Sequence, residues 1–185
     1  MSPLRRRLMF GVPLALAVCG GEGFYILLRR MQAQKYDPHA LPSPLIGKRP
    51  PAFNLPGAAG SQGFANTDIA APAKPILVNW FASWCVPCAE EAAMLSRLAG
   101  QGIEIWGIAY EDDAQNLQKF LATNGNPFKR LATDTDGTAA INWGVYGVPE
   151  TYFIDKTGIV RWRYAGALTD DVVSSTLKPL LETYS

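Results

Sequence analysis

The sequence alternates between apolar runs of strand length and segments in which apolar residues recur at helical spacing. Two runs, Ile76–Phe81 and Ile103–Ala109, are almost wholly apolar, as expected of central strands covered on both faces. After the second run, Leu117, Phe120 and Leu121 recur at helical spacing. Strands that alternate with helices in this way predict an α/β sheet with helices on both faces.

Shorter apolar segments lie on either side of this pattern. Phe53–Leu55 and Gly63–Ala65 predict a small N-terminal β-hairpin across a glycine-rich turn. Thr151–Ile154 and Ile159–Tyr164 flank an Asp-Lys-Thr-Gly turn and predict a terminal hairpin in the main sheet. A last helix is predicted near the C-terminus, where Pro179 is expected to kink it or to end it early.

The first thirty residues have a different pattern. Leu8–Leu28 is a mostly apolar run of 21 residues that follows three arginines, and a bilayer-spanning helix needs ~20 residues. A cleaved signal peptide is the alternative, although its apolar region would be shorter. We expect residues 1–30 to form a cytoplasmic stub and a transmembrane anchor, 31–44 a linker, and 45–185 the folded domain. The arginine excess before the run predicts that the domain lies in the periplasm, on the outer side of the inner membrane.

Charge and histidine content narrow the possible functions. From Met31 onward the chain carries 12 lysines and arginines against 15 aspartates and glutamates. This mildly acidic balance does not favour nucleic-acid binding. The single histidine, His39, lies among prolines in the linker without a cluster of partners, so no metal site and no catalytic histidine is expected.

The most informative stretch is Trp84-Cys85-Val86-Pro87-Cys88, which lies between the first central strand and a helix-like run. Strand, turn, Cys-x-x-Cys and helix is the arrangement of a thioredoxin-type redox centre. Cys85 would lie at the open N-terminus of the helix, where unpaired N–H groups and the helix dipole favour a thiolate. Cys88 lies about one helical turn further on and can close a disulfide with Cys85. Cys85 is therefore predicted to be the attacking thiol and Cys88 the resolving thiol.

The cysteine pair has three other interpretations. A zinc site needs about four ligands, and only Cys19 and His39 remain, both far upstream. A haem attachment site needs histidine after the second cysteine, where this chain has Ala89. A purely structural disulfide stays open, because cysteine pairs in exported domains are often structural.

Further stretches of the chain match one protein family. They are Leu45–Lys48, Leu77–Asn79, Trp84–Glu91, Tyr110–Asp113, Gly144–Thr151 and Phe153–Asp155. Together they resemble the membrane-anchored thioredoxin-like proteins of cytochrome c maturation, the DsbE/CcmG type of thiol:disulfide interchange protein. The resemblance runs through nearly all of the soluble part, and Gly144–Thr151 is its most specific stretch. It implies a thioredoxin-like fold with a central mixed sheet, a periplasmic domain on one N-terminal helix, and a reducing role.

The resemblance also implies a client and an electron donor. The protein would reduce the paired thiols of apocytochrome c, directly or through haem-ligation proteins, and would be re-reduced by a membrane thiol reductant of the DsbD/CcdA type. Exchange passes through a mixed disulfide, so no bound cofactor is expected, and we expect a monomer. Two alternatives stay open: another tethered thioredoxin-like reductase with general or oxidase-assembly clients, and a non-catalytic chaperone that holds apocytochrome.

The resemblance extends to a substrate-binding side of the site. Pro149 resembles the proline that faces the dithiol in this superfamily, which implies a cis Val148–Pro149 bond. The backbone beside it could pair with an extended substrate segment. Trp84, Val148, Pro149 and Glu150 are therefore the candidate substrate-binding residues.

Carboxylates complete the predicted site. Thioredoxins carry a buried aspartate where this chain has Asn79, so another group must exchange the proton of Cys88. Glu91, three residues beyond Cys88 on the same helix face, is the candidate. We expect it to be partly exposed, so that its replacement would leave folding nearly unchanged. Glu111 and Glu150 are expected on the same rim, where carboxylates would raise the pKa values of the thiols.

Overall fold

The computed structural model describes residues 21–26, 28–29 and 43–184. Residues 21–26 and 28–29 are helical. The predicted cytoplasmic stub, most of the predicted anchor and the linker up to residue 42 lie outside the described residues. Within the described residues, no helix combines the length and the apolar character that a membrane crossing requires.

A five-stranded mixed sheet forms the centre of the unit that begins at residue 41. A separate antiparallel hairpin precedes it, made of β1 (Asn54–Leu55) and β2 (Phe64–Ala65). The sheet strands are β3 (Ile76–Phe81), β4 (Glu104–Tyr110), β5 (Arg130–Asp134), β6 (Glu150–Ile154) and β7 (Val160–Ala165). Their order is β5-β4-β3-β6-β7, with β3, β4 and β5 parallel, β6 antiparallel to β3, and β7 antiparallel to β6. The predicted mixed sheet and both predicted hairpins are confirmed.

The helices alternate with the strands as the sequence pattern predicts. They are α1 (Val86–Gly100), α2 (Ala114–Asn124), α3 (Thr138–Trp143), α4 (Asp170–Val172) and α5 (Lys178–Tyr184), with a π-helical stretch, Val173–Leu177, between the last two. The early end expected at Pro179 is not observed, because α5 continues past it. The irregularity lies in the π-helical turn just before. Its wider spacing suits a proline, which cannot donate to the preceding turn and crowds the carbonyl there.

The central strand β3 is buried along its whole length, and its side chains alternate between two layers. Val78 and Trp80 pack in a cluster with Trp143 of α3 on one face of the sheet. Leu77 packs with Leu98 of α1 on the opposite face. Helices therefore cover both faces. Asn79, which lies between Val78 and Trp80 in the strand, faces the same side as α1.

The β1–β2 hairpin covers the exposed edge of the sheet at β5. The Ala58 N–H donates to the Leu131 carbonyl at 3.0 Å, and the Thr133 N–H donates to the Pro56 carbonyl at 3.0 Å. Unpaired strand edges invite pairing with another chain. The insertion before the main sheet therefore protects one of its two edges.

A candidate dithiol active site

The two cysteines form a disulfide at the N-terminus of α1. Cys85 is the N-cap residue, with extended backbone, and its Sγ accepts the Cys88 N–H at 3.1 Å. Pro87 is the second helical residue, where a missing N–H costs little. The Cα atoms of the two cysteines are 5.3 Å apart, within the ordinary range for a disulfide. The predicted pairing of Cys85 with Cys88 is confirmed.

The electrostatics of this helix end favour a thiolate at Cys85. The first turn of α1 contains no acidic side chain, whose negative charge would offset the positive end of the helix dipole and disfavour a nearby thiolate. In the disulfide form both cysteines are nearly buried, since Cys85 is 5% exposed and Cys88 is 3% exposed. Among the described residues, no group of three or more His, Cys, Asp and Glu side chains is arranged to hold a metal ion.

The loop before β6 brings a main-chain carbonyl next to the disulfide. The Val148–Pro149 peptide bond is cis, as predicted. The Val148 carbonyl oxygen lies 3.4 Å from the Sγ of Cys85. The Gly166 N–H donates to the Pro149 carbonyl at 2.8 Å and ties this loop to the end of β7. Val148 and Pro149 therefore lie beside the dithiol, where a substrate backbone could approach.

The two residues that flank Cys85 in the chain have exposed apolar side chains. Trp84 is 59% exposed and Val86 is 71% exposed. The indole N–H of Trp84 donates to the carbonyl of Glu111 at 3.2 Å. Glu111 is exposed and takes a left-handed backbone conformation with φ of +44°. Trp84 and Glu111 thus lie together, while the substrate-binding role of Trp84 and the place of Glu111 on an acidic rim stay predictions.

Asp112 holds the turn that precedes the cysteines. Its carboxylate, 8% exposed, accepts hydrogen bonds from the N–H and the hydroxyl of Ser83, both at 2.6 Å. The sequence offered Asp112 or Asp113 as the N-cap of α2, and Asp113 takes that role by accepting from Gln115 and Asn116. Sequence reasoning missed the contact with Ser83, because it joins two loops that are 29 residues apart.

Glu91 lies on the inner face of α1, and the expectation that it is partly exposed is wrong. It is 2% exposed. One carboxylate oxygen accepts the Leu168 N–H at 2.8 Å, and the other accepts from the side-chain amide of Asn79 at 3.3 Å. Burial raises the pKa of Glu91 from 4.5 to about 7, and these two hydrogen bonds oppose the rise. The predicted acid–base residue is therefore a buried group that titrates near neutrality.

Asn79 and Thr151 extend this buried polar cluster across the sheet. The register of β3 with β6 places the two residues opposite each other. The amide nitrogen of Asn79 donates to the Thr151 hydroxyl at 3.0 Å. Asn79 and Cys88 also line the same small cavity between α1 and α2. Thr151 was not identified from the sequence as part of the site, although its position opposite Asn79 follows once the strand register is known.

Glu150 is not on the rim, and this expectation is corrected. Its side chain is fully buried, and it forms a two-pronged ion pair with Arg163 of β7 at 2.7 Å for each contact. The Tyr152 hydroxyl donates to the same carboxylate. Neighbouring residues in a strand point to opposite faces. Because Thr151 faces α1, Glu150 must face the layer of α3, away from the cysteines.

Comparison with known proteins gives consistent matches along the chain. Residues 46–163 match the AhpC/TSA family. The thiol:disulfide interchange protein HelX of Rhodobacter capsulatus is 38% identical over 178 residues, which cover 96% of this chain and 97% of HelX. The thiol:disulfide interchange protein DsbE of Pseudomonas fluorescens biotype C is 42% identical over 172 residues, covering 91% of this chain and 89% of that protein. The structure of MTB DsbF in mixed oxidized and reduced forms has a TM-score of 0.60 at 25% identity, covering 69% of this chain and 94% of that chain.

Substituting Glu91→Gln is expected to change how stability depends on pH. In the native protein the pKa of Glu91 lies above its unfolded value, so the folded state holds this proton more tightly. The wild-type protein therefore loses stability as the pH rises from about 4.5 to about 7, by about 3 kcal/mol in total. Glu91→Gln has no such loss. The free energy of unfolding of the variant, relative to that of the wild type, should therefore increase as the pH rises over this interval.

Urea titrations between pH 4 and 8 measure this difference. Glu90→Gln is the matched control, because it removes an exposed carboxylate from the same helix and should follow the wild-type profile. A stability difference between Glu91→Gln and wild type that stays constant with pH would contradict the buried titration.

Proposed function

The chain belongs to the AhpC/TSA family and, within it, to the DsbE/HelX group of thiol:disulfide interchange proteins, and we propose that it reduces disulfides of apocytochrome c, or of its haem-ligation partners, during cytochrome c biogenesis. The chain is a thiol:disulfide oxidoreductase. One observation carries the proposal: the Cys85–Cys88 disulfide caps α1 with the Val148 carbonyl oxygen 3.4 Å from the Sγ of Cys85. This main-chain group beside the attacking sulfur supports an approach by an extended client segment.

The first chemical step is attack by Cys85. In the reduced protein, the Cys85 thiolate attacks one sulfur of the client disulfide. A mixed disulfide forms, and the other client sulfur leaves as a thiolate that takes up a proton. The Cys88 N–H and the N-terminus of α1 stabilise the thiolate before attack. Trp84, Val148 and Pro149 hold the client segment in this step, with the main chain of Val148 nearest the reacting sulfur.

The second step releases the client. The Cys88 thiol loses its proton and attacks the Sγ of Cys85, which closes the disulfide and frees the second client thiolate. Two electrons have then passed from the protein to the client. Glu91 accepts the proton, since its pKa of about 7 suits a general base at neutral pH and its partner Asn79 also borders Cys88. A membrane thiol reductant of the DsbD/CcdA type returns the protein to its reduced form.

The cellular setting completes the proposal. The arginine excess before Leu8–Leu28 supports an N-terminal anchor with the catalytic domain in the periplasm. That compartment oxidises paired thiols, so a dedicated reductant is needed before haem can be attached to them. The exposed Glu111 beside Trp84 adds negative charge to the rim and would disfavour acidic client segments.

Cys88→Ser should trap a mixed disulfide between Cys85 and the client, because the resolving thiol is gone. Cys85→Ser should trap none, since it lacks the attacking thiol. Non-reducing gels of the full-length variants, incubated with an oxidised apocytochrome peptide, measure the trapped species. Equal trapping by both variants would show that the two roles are wrongly assigned.

Glu91→Gln should reduce the client about 10–100-fold more slowly, the lower side of general-base effects. The slowing should be greatest above pH 7, where the wild-type carboxylate is ionised. Stopped-flow reduction of the peptide disulfide from pH 5 to 9 measures this profile, with Glu90→Gln as the control. An unchanged rate and profile in a folded variant would remove Glu91 from the mechanism.

A strain without this protein should lack mature c-type cytochromes, and haem staining of its membranes measures the loss. The wild-type gene should restore them, and the Cys85→Ser/Cys88→Ser variant should not. Restoration by that variant would favour a chaperone that holds its client without redox chemistry. Normal cytochromes in the deletion strain, with reduced thiols lost from other exported proteins, would favour a reductase with general clients.

A further inference from the structure

The side-chain oxygen of Asn79 is a buried polar atom with no hydrogen-bond partner among the described residues. Asn79 is fully buried in the middle of β3. Its amide orientation is set by its nitrogen, which donates to Glu91 and to Thr151. Rotating the amide by half a turn would aim its oxygen at the Glu91 carboxylate, which cannot donate when ionised. The unpartnered atom is therefore the oxygen, and leaving it so costs stability.

The direction of the oxygen follows from the partners of the amide nitrogen. The nitrogen donates to Thr151 on β6, so the oxygen is directed away from β6, to the side of β3 on which β4 lies. On that side is a small cavity lined by Asn79 and Cys88, and otherwise by apolar side chains and backbone from α1, α2, β3 and the loop after α2. Its apolar lining includes Phe81, Ala92, Leu95 and Phe128. These side chains offer no donor, so Cys88 is the side chain, apart from Asn79 itself, that can carry a donor hydrogen among the residues that line this cavity.

The Cys88 side chain can donate a hydrogen bond only when the protein is reduced. In the disulfide its Sγ is bonded to Cys85 and has no proton to donate. Reduction gives Cys88 an S–H group, a weak donor. We propose that the Asn79 side-chain oxygen accepts a hydrogen bond from the Cys88 thiol in the reduced protein, and that Asn79 is thereby a positioning residue that favours the dithiol over the disulfide.

The disulfide and the dithiol differ in whether the Asn79 oxygen has a hydrogen-bond partner, and this difference sets the direction in which Asn79 shifts their equilibrium. In the disulfide the buried oxygen lacks a partner, which destabilises that state, and in the dithiol the oxygen has one. Two glutathione thiols can supply the two electrons and two protons, so that the protein disulfide becomes a dithiol and glutathione becomes its disulfide. Asn79 shifts this equilibrium toward the reduced protein. The inference rests on the redox-active dithiol of the proposed function, but it needs no particular client.

Asn79→Leu tests the proposal, because it fills a similar volume without an acceptor. The equilibrium constant for reduction of the full-length protein by glutathione should fall about tenfold, the factor expected from one net hydrogen bond and the relief of one unpartnered oxygen. The constant is measured at pH 8.5, above the pKa of Glu91 of about 7, so that the ionised carboxylate fixes the orientation of the Asn79 amide in the wild type. Thr151→Val is the matched control, since it removes a partner of the same amide on the side away from Cys88 and should change the constant less than twofold.

Each outcome has a distinct meaning. An equal constant for Asn79→Leu and the wild type would overturn the role of Asn79 and leave the dithiol chemistry intact. A protein that cannot be reduced or reoxidised by glutathione at all would instead contradict the proposed function. An equal fall in Thr151→Val would show a general loosening of the cluster and would also overturn the proposal.

An infrared measurement covers the case in which Asn79→Leu does not fold. In the Cys19→Ser/Cys85→Ser variant, Cys88 is the one thiol left, since the chain has three cysteines. Its S–H stretching band should lie at a lower frequency than that of butanethiol dissolved in hexane, because a hydrogen bond weakens the S–H bond. A band at the hexane frequency would mean that the thiol makes no hydrogen bond and would overturn the proposal.

Discussion

The complete burial of strand β3 is the constraint on which the site depends. Strands lie on both sides of it and helices cover both of its faces, so all six of its residues are buried. A polar residue in such a strand must find its partners within the fold. Asn79 is that residue, and its partners are Thr151 on the neighbouring strand and Glu91 on the covering helix. One position in the central strand therefore determines which polar groups meet beneath the dithiol.

The two buried glutamates, Glu91 and Glu150, differ in whether a positive charge lies beside the carboxylate. Glu150 is paired with the guanidinium of Arg163, so both charges are compensated and the pair holds β6 to β7. Glu91 has no cationic partner among its hydrogen-bond donors, which are a backbone N–H and a neutral amide. Burial without a counter-charge raises its pKa to about 7. The first carboxylate is held in an ion pair that joins two strands, and the second is able to exchange a proton at physiological pH.

The strands, the hairpins and the helix carrying the cysteines could be predicted from the sequence, because each depends on local spacing. The Cys85–Cys88 pairing and the cis bond before Pro149 were also predicted correctly. The environments of Glu91 and Glu150 were not, because burial depends on which face of an element meets the core. Successive residues of β6 point to opposite faces of the sheet. A register shifted by one residue would therefore place Glu150 at the site instead of Thr151. Its place next to Pro149 predicted Glu150 on the rim, but the strand register turns its side chain to the opposite face of the sheet.

In the proposed mechanism, the position of Glu91 on α1 sets the geometry of proton transfer from Cys88. If the carboxylate were in the central strand, its distance from Cys88 would depend on how the helix packs on the sheet. Glu91 instead lies three residues from Cys88 on one helix, so the spacing of thiol and carboxylate follows from helix geometry. A neutral amide at Asn79 fits this arrangement, because a second carboxylate 3.3 Å from Glu91 would repel it and raise its pKa further. The amide donates to Glu91, which favours the ionised form and keeps the pKa of this buried acid near neutrality.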